Sequence, residues 1–181
     1  MRHFYVGATP EVDREVLAGI THALPRRTGL EPVPLELPSI DFAYDERRNQ
    51  YASNAVLEML LRECPRDADK LLALTERDLF IPVLTFVYGQ AQLGGRVGAV
   101  SLARLRQQFY GLPPDPGVLL DRALKEILHE SGHLYGLVHC ADRACAMSLS
   151  TGIRQIDGKQ ASYCAACAVL LERGFRESQT T

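Results

Sequence analysis

The chain has 181 residues, of which 46% are hydrophobic and 23% are charged, and its formal net charge is −2. This length allows one domain with a hydrophobic core large enough to be stable without disulfide bonds. The near-neutral net charge and the lack of a basic stripe argue against binding to nucleic acid or to a membrane surface. The N-terminal residues lack the apolar run of a signal peptide, and no window is apolar for long enough to cross a membrane. We therefore expect a cytoplasmic protein whose thiols are kept reduced.

The first half of the chain alternates predicted strands with predicted helices. Strand composition is found in residues 3–8, 30–37 and 70–75, and apolar residues recur at helical spacing in residues 10–24 and 50–63. The run at 70–75 is apolar almost throughout, which is typical of a central strand. This order of elements favours an α/β or α+β sheet domain.

The second half begins with another strand-like stretch and continues into a long helix. Residues 80–102 have strand composition, and Gly94 and Gly95 within them are suited to a hairpin turn or an irregular loop. After a proline-rich linker at residues 111–116, Asp115 is a good N-cap for a helix that begins at Pro116. Gly136 stands where a left-handed C-cap would end that helix.

The end of this helix carries the sequence His-Glu-x-x-His-x-x-Gly-x-x-His. His129 and His133 are four residues apart, so both imidazoles lie on one face and can bind one Zn²⁺. The turn at Gly136 allows His139 to supply a third nitrogen. Three protein ligands leave a fourth position for water, as in catalytic zinc sites, and Glu130 is then placed to take the proton of that water.

Four of the five cysteines follow at once, as the pairs Cys140/Cys145 and Cys164/Cys167. Two closely spaced pairs predict a structural Cys₄ zinc site, with a four-thiolate iron–sulfur cluster as the alternative. Side chains of adjacent residues in an extended segment point to opposite sides, so His139 can face one metal and Cys140 the other. Cys64 lies far from this cluster and is interpreted as a core residue.

These motifs, together with Met147 downstream, resemble those of the archaemetzincin family of metzincin zinc metallopeptidases. The resemblance implies a compact α/β metzincin-like domain with a mostly parallel twisted sheet and an edge strand above the cleft. It also implies a catalytic zinc on the three histidines, Glu130 as the base and Met147 in a Met-turn beneath the metal. Sixteen residues separate Met147 from Cys164, about one fewer than the family pattern has.

Two parts of a peptidase site are less well defined by the sequence. Some metzincins have a tyrosine two residues after the Met-turn methionine, but that position is Leu149 here, so no side chain is assigned to the oxyanion. The segment from Val83 to Gln92 is the best candidate for the edge strand, with an interior strand as the alternative. Within it Gly89, Gln90 and Ala91 are the candidate substrate-binding residues, because an exposed edge can pair with an extended peptide.

The sequence therefore predicts a single domain over residues 1–181, with a sheet-and-helix part at 1–136 and a zinc-stapled part at 137–181. We expect two zinc ions per chain, one catalytic and one structural, and a peptide or an unfolded protein segment as the substrate. A zinc-stabilised binding module without turnover and a zinc amidohydrolase acting on another acyl compound are the alternatives. Glu130 argues against the binding module, which has no need of a carboxylate beside an open zinc.

Overall fold

The computed structural model describes residues 3–180 of the chain, and the side chains of residues 3–178. Its helices and strands are, in chain order, β1 (His3–Ala8), α1 (Arg14–Ala23), α2 (Pro25–Thr28), β2 (Pro32–Glu36), β3 (Tyr44–Asp45), β4 (Gln50–Ala52), α3 (Ser53–Glu63), β5 (Ala68–Thr75), β6 (Leu79–Phe80), β7 (Gly89–Ala91), β8 (Val97–Ser101), α4 (Pro116–Leu134), α5 (Ile153–Gly158) and α6 (Ala165–Thr180). None of the helices described is both long and apolar enough to cross a membrane.

The main sheet has the strand order β2-β1-β5-β8-β7. The first four strands are parallel, and β7 closes one side as an antiparallel edge strand paired with β8. The expected α/β fold with a mostly parallel sheet is therefore confirmed. A second, small sheet of order β3-β4-β6 lies beside it.

Both faces of the main sheet are buried. Along β5, Leu72 and Leu74 belong to a core shared with α1 and α4, whereas Leu71 and Ala73 belong to a core shared with α3. This alternation follows from the two-residue period of a strand. A strand covered on both faces needs apolar residues at nearly every position, and this is why residues 70–75 could be recognised as central.

Several predicted elements need their bounds corrected. Gln50–Ala52 is the strand β4 instead of the start of a helix, and α3 begins at Ser53. The helix predicted at residues 10–24 begins only at Arg14, where the Asp13 side chain caps it by accepting from the Glu15 N–H. The strand predicted at 30–37 is the shorter β2, an edge strand whose prolines leave no gap in an interior ladder.

The long helix α4 agrees with its prediction. The Asp115 side chain accepts a hydrogen bond from the Val118 N–H at 3.0 Å, as an N-cap does. The helix ends at Leu134, and Gly136 has φ of 86°, in the left-handed region that a C-terminal glycine supplies. The C-terminal third of α4 is buried beside β7 and β8, which brings the histidine-bearing turn to the edge of the sheet.

The largest correction concerns the predicted strand from Val83 to Gln92. Only Gly89–Ala91 forms β7, and residues 82–85 form a turn and a bend. The hairpin predicted around Gly94 and Gly95 does connect β7 to β8. The Gly94 N–H also donates to the His133 carbonyl at 2.8 Å, so the hairpin is held directly on the end of α4.

Candidate active site

The three histidines of the motif come together at the end of α4. The Nε2 atoms of His129 and His133 are 3.1 Å apart, and the His139 ring centroid lies 5.2 and 5.0 Å from the other two. One nitrogen from each ring lies within 4.8 Å of the others. His139 reaches this position because the chain turns back at Gly136, as expected.

The second nitrogen of each helical histidine is fixed by a backbone carbonyl. His129 Nδ1 lies 2.9 Å from the Ala146 oxygen, and His133 Nδ1 lies 2.7 Å from the Leu137 oxygen. A carbonyl oxygen can only accept, so each Nδ1 carries the proton and donates it. Both Nε2 atoms therefore present lone pairs toward the same point.

The electrostatics keep these imidazoles neutral. Burial, together with the nearby charge of Lys159, lowers the pKa of His129 to about 3. Burial likewise lowers the pKa of His133 and of His139. A neutral imidazole is the form that ligates a metal, so the lowered pKa values favour the ligating state of all three rings.

This donor set fits a zinc ion. Two lone pairs 3.1 Å apart repel one another unless a cation lies between them. Two nitrogens at about 2.0–2.1 Å from a tetrahedral zinc are separated by roughly 3.3 Å, close to the observed distance.

Glu130 forms part of the same site. Glu130 is only 4% exposed, and it packs so closely on the β7 backbone that a Cβ built on Gly89 would lie 2.5 Å from Glu130 Oε1. Burial raises its pKa well above the usual range, the charge of Glu126 raises it further, and Lys159 opposes both. Glu130 lines the cleft together with all three histidines.

The cleft above these residues has a volume of about 350 Å³. One wall is β7 with the preceding loop 81–88, and Leu149, Ser150 and Thr151 lie opposite, so Gly89, Gln90 and Ala91 all line it. Within the described part of the chain, the only carboxylates that line the cleft are Glu126 and Glu130, and no lysine or arginine does so. The cleft is therefore mainly apolar outside the histidine cluster.

The ladder between β7 and β8 shows which backbone groups face outward. The Gln92 N–H donates to Val97, and the Ser101 N–H donates to Tyr88. Along an antiparallel ladder every second residue of a strand is hydrogen-bonded to the partner strand. Gln90 lies two residues from both Tyr88 and Gln92, so it also directs its N–H and C=O at β8. Gly89 and Ala91 consequently direct theirs to the open edge of the sheet.

The four cysteines form a second cluster. Their sulfurs all lie within 4.8 Å of one another, and the Cys140 and Cys164 sulfurs are 3.8 Å apart. A tetrahedral zinc with Zn–S bonds of about 2.3 Å separates its sulfurs by roughly 3.8 Å. All five cysteines are free thiols, and Cys64 lies apart from the cluster, half-buried against the α3 side of the sheet.

Backbone N–H groups point at these sulfurs. Met147 and Cys164 both donate to Cys145 Sγ, at 3.4 and 3.3 Å, and Asp142 donates to Cys140 Sγ at 3.4 Å. The pKa of Cys164 is lowered, mainly by the hydrogen bond from the Cys167 backbone. Such donors favour the thiolate, which is the form that binds a metal, whereas burial raises the pKa of Cys145 and of Cys167 in the metal-free cluster.

The segment between the two clusters joins them. His139 belongs to one cluster and its neighbour Cys140 to the other, as their adjacency predicts. The Cys140 N–H donates to the Met147 carbonyl at 3.0 Å. Met147 is fully buried and packs against α4 at Gly132, in space that a Cβ at Gly132 would need.

Sequence reasoning missed three residues of this region. Tyr163 is half-buried and donates to the Leu128 carbonyl at 2.6 Å, and Glu126 and Lys159 form a buried pair beneath the cleft. Glu126 lies four residues before Glu130, and that spacing could have placed it on the same face of α4. Nothing in the local sequence around Lys159 or Tyr163 connects either residue to the helix.

Comparisons with known proteins agree with the fold. The chain matches the sequence profile of peptidase family M54 over residues 10–173. It is 45% identical to the archaemetzincin of Methanocaldococcus jannaschii over 139 residues, which are 75% of each chain.

Solved structures give the same result. The crystal structure of archaemetzincin from Methanopyrus kandleri superposes with a TM-score of 0.83 at 33% identity and covers 97% of this chain and 96% of that one. A zinc-dependent peptidase from Methanocorpusculum labreanum superposes with a TM-score of 0.86 at 28% identity, over 93% of this chain and 99% of that one.

The fold and the two ligand clusters define a metallopeptidase of the zinc-dependent class. Within that class, the chain belongs to peptidase family M54, the archaemetzincins.

Proposed function

We propose that this chain hydrolyses peptide bonds in the cleft between β7 and α4. The proposal rests chiefly on one juxtaposition: a buried carboxylate, Glu130, lies beside three converging imidazoles and against the outermost strand of the sheet. A binding module would gain nothing from that carboxylate, whose burial without a charged partner is costly.

The substrate is an extended peptide that pairs with β7. The outward N–H and C=O groups of Gly89 and Ala91 serve as its hydrogen-bonding partners, as in other cases where a peptide adds a strand to a sheet edge. Recognition through the backbone sets the position of the scissile bond without requiring a particular side chain. The mainly apolar cleft favours uncharged residues next to that bond.

His129, His133 and His139 are the ligands of the catalytic zinc. When bound there, the zinc polarises the scissile carbonyl and lowers the pKa of a water molecule toward about 7. Glu130 takes the proton from the attacking water at its carboxylate and later donates it to the leaving amine nitrogen. The Nδ1 hydrogen bonds of His129 and His133 keep both rings in the tautomer that this task requires.

Cys140, Cys145, Cys164 and Cys167 bind a second, structural zinc, giving two zinc ions per chain. The 3.8 Å separation of two of the sulfurs and the N–H groups directed at them support this assignment. Met147 serves as the Met-turn residue that packs beneath the histidines.

The test is replacement of Glu130 by glutamine. Glu130→Gln removes the proton acceptor and no metal ligand, so hydrolysis of a peptide library should fall at least about 100-fold while both zinc ions remain bound. Elemental analysis of the same samples provides the control. Undiminished hydrolysis by Glu130→Gln would contradict the proposed mechanism, and a parent protein that carries zinc but cleaves no peptide would contradict the function.

A further inference from the structure

One buried ion pair close to the active site has no part in the mechanism above. Lys159 Nζ lies 3.5 Å from Glu126 Oε1, and the two side chains are only 0% and 4% exposed. Glu126 lines the cleft one helical turn before Glu130, whereas Lys159 follows α5 in the C-terminal part of the chain. The pair therefore connects the two parts of the molecule beneath the histidines.

Such a pair is not explained by stability alone. Taking an ammonium and a carboxylate out of water costs about as much as their attraction returns, and two apolar side chains of similar size would stabilise the fold as well or better. The distance of 3.5 Å is also long for a charge-assisted hydrogen bond, and Glu126 Oε1 has no close hydrogen-bond partner among the described residues.

The ammonium has a second contact that connects it to the metal site. Lys159 Nζ donates to the Ala146 carbonyl oxygen at 3.2 Å, and the same oxygen accepts the Nδ1–H of His129 at 2.9 Å. The Ala146 N–H donates to the Ser162 carbonyl at 2.9 Å. Hydrogen bonds thus hold Ala146 at both its N–H and its C=O, and the carbonyl oxygen points at the His129 imidazole.

The two histidines on α4 differ in how far along the chain their Nδ1 acceptors lie. The acceptor for His133 is the Leu137 carbonyl, four residues along the same turn of chain. The acceptor for His129 lies 17 residues away, in the segment between Cys145 and Met147, so its position depends on tertiary contacts. Among those contacts, the hydrogen bond from Lys159 comes from a charged group.

We propose that Lys159, charge-balanced by Glu126, is a positioning residue that holds the Ala146 carbonyl in place and so orients His129 toward the catalytic zinc. The proposal rests on the zinc site of the proposed function, and it assigns no contact with substrate to either residue. Groups that orient a metal-bound histidine commonly change metal affinity about 10- to 100-fold when they are removed.

The main test compares Lys159→Met with Lys125→Met. Lys125 is a matched control, because it is as buried as Lys159, and its polar partners are the Asp121 carboxylate on α4 and the Asp157 carbonyl instead of Ala146. Zinc is titrated in the presence of a competing chelator, and the ring nitrogens of the histidines are followed by NMR. We expect Lys159→Met to weaken zinc binding at the histidines about 10- to 100-fold and Lys125→Met to leave it at the parental value.

The same spectra give a readout that a purely structural role would not change. In protein whose histidine site is free of metal, the parent should show both His129 and His133 protonated at Nδ1. Lys159→Met should give a mixture of tautomers at His129 and leave His133 unchanged, because the Leu137 acceptor is local.

The single variant leaves Glu126 buried without its partner, which can by itself prevent folding. The double variant Lys159→Met/Glu126→Leu removes both charges and should keep the weak zinc binding and the mixed tautomers, since the contact with Ala146 is still absent. Parental zinc affinity in the double variant would overturn the proposal, because Lys159 would then only neutralise Glu126. Failure of the proposed function would appear separately, as zinc-loaded parent protein that does not hydrolyse peptides.

Discussion

The Glu130 carboxylate packs directly against the backbone of β7 at Gly89. Its Oε1, Cγ and Cδ atoms would lie between 2.5 and 2.8 Å from a Cβ at Gly89, too close for any side chain. The glycine is thus the position at which β7 and the proposed base are brought into contact. Any side chain there has to push the carboxylate away from the histidines or push β7 away from α4.

Gly89→Ala should therefore reduce catalysis without unfolding the protein. A displacement of about 1 Å at a reacting group costs roughly 100-fold in rate, so we expect kcat/KM to fall by about that factor. Gly152→Ala is the control, because a Cβ there meets nothing within 4 Å and its φ of −161° suits any residue. Peptide hydrolysis and thermal unfolding of both variants provide the measurement, and full activity in Gly89→Ala would contradict the assignment of Glu130.

Local spacing indicated the three histidines and each cysteine pair from sequence, whereas the meeting of the two cysteine pairs depends on the tertiary fold. His129 and His133 share a helix face whatever the rest of the chain does. Lys159 could not be predicted, because its contacts with Glu126 and Ala146 depend on how the C-terminal part packs on α4. A lone lysine after a short helix carries no local pattern that indicates such a position.

Among the elements, the predicted strand from Val83 to Gln92 shows where composition misleads. Residues 82–86 have the apolar and β-branched side chains of a strand, but their backbone does not pair with another strand. The next residue, Val87, makes an isolated bridge to Leu79. Of the side chains of residues 82–86, Phe86 packs edge-on against Tyr88, and the Arg104 guanidinium lies 4.0 Å above the Phe86 ring. The side chains of residues 82–85 are exposed. Strand composition therefore indicated neither the backbone pairing nor the burial of most of this segment.

The edge position of β7 leads to a test with an internal control. Ala91 directs its N–H to the open edge, whereas its neighbour Gln90 directs its own at β8. Ala91→Pro removes only the outward donor, so we expect the fold and the zinc content to be retained and KM for peptides to rise. Gln90→Pro removes a hydrogen bond of the ladder and should lower thermal stability instead.

Enzyme kinetics and thermal unfolding of the two proline variants test both the direction of the Ala91 N–H and the place where the peptide binds. If Ala91→Pro unfolds the protein, the outward direction of its N–H is wrong. If Ala91→Pro folds and cleaves peptides with an unchanged KM, the peptide is held elsewhere in the cleft.

For the whole molecule, the cysteine cluster connects the chain after α4 to the last helix. Cys140 and Cys145 lie in the segment that contains His139 and Met147, and Cys164 and Cys167 lie at the start of α6. Further along α6, Phe175 packs edge-on against Tyr135 with ring centroids 4.3 Å apart, and Tyr135 donates to Asp69 at 2.8 Å. These contacts attach α6 to α4 and β5 as well as to the cluster.

Cys164→Ser should therefore destabilise the protein and reduce its zinc content from two ions to one or fewer. Structural zinc contributes roughly 10 kcal/mol or more to the folding of small zinc modules, so the loss of one thiolate ought to be visible as a large drop in Tm. Cys64→Ser is the matched control, since its thiol lies outside the cluster. An unchanged Tm in Cys164→Ser would exclude a structural role, and stoichiometric iron with acid-labile sulfide in the parent would exclude zinc at the cysteines.

The adjacency of His139 and Cys140 couples the two proposed metal sites. An ion bound by the cysteines would fix the segment that carries His139 beside the two imidazoles of α4. The third imidazole would then be present at a high effective concentration, so an ion at the cysteines should strengthen ion binding at the histidines. Linkage between two binding equilibria is reciprocal, so an ion at the histidines should strengthen binding at the cysteines by the same factor.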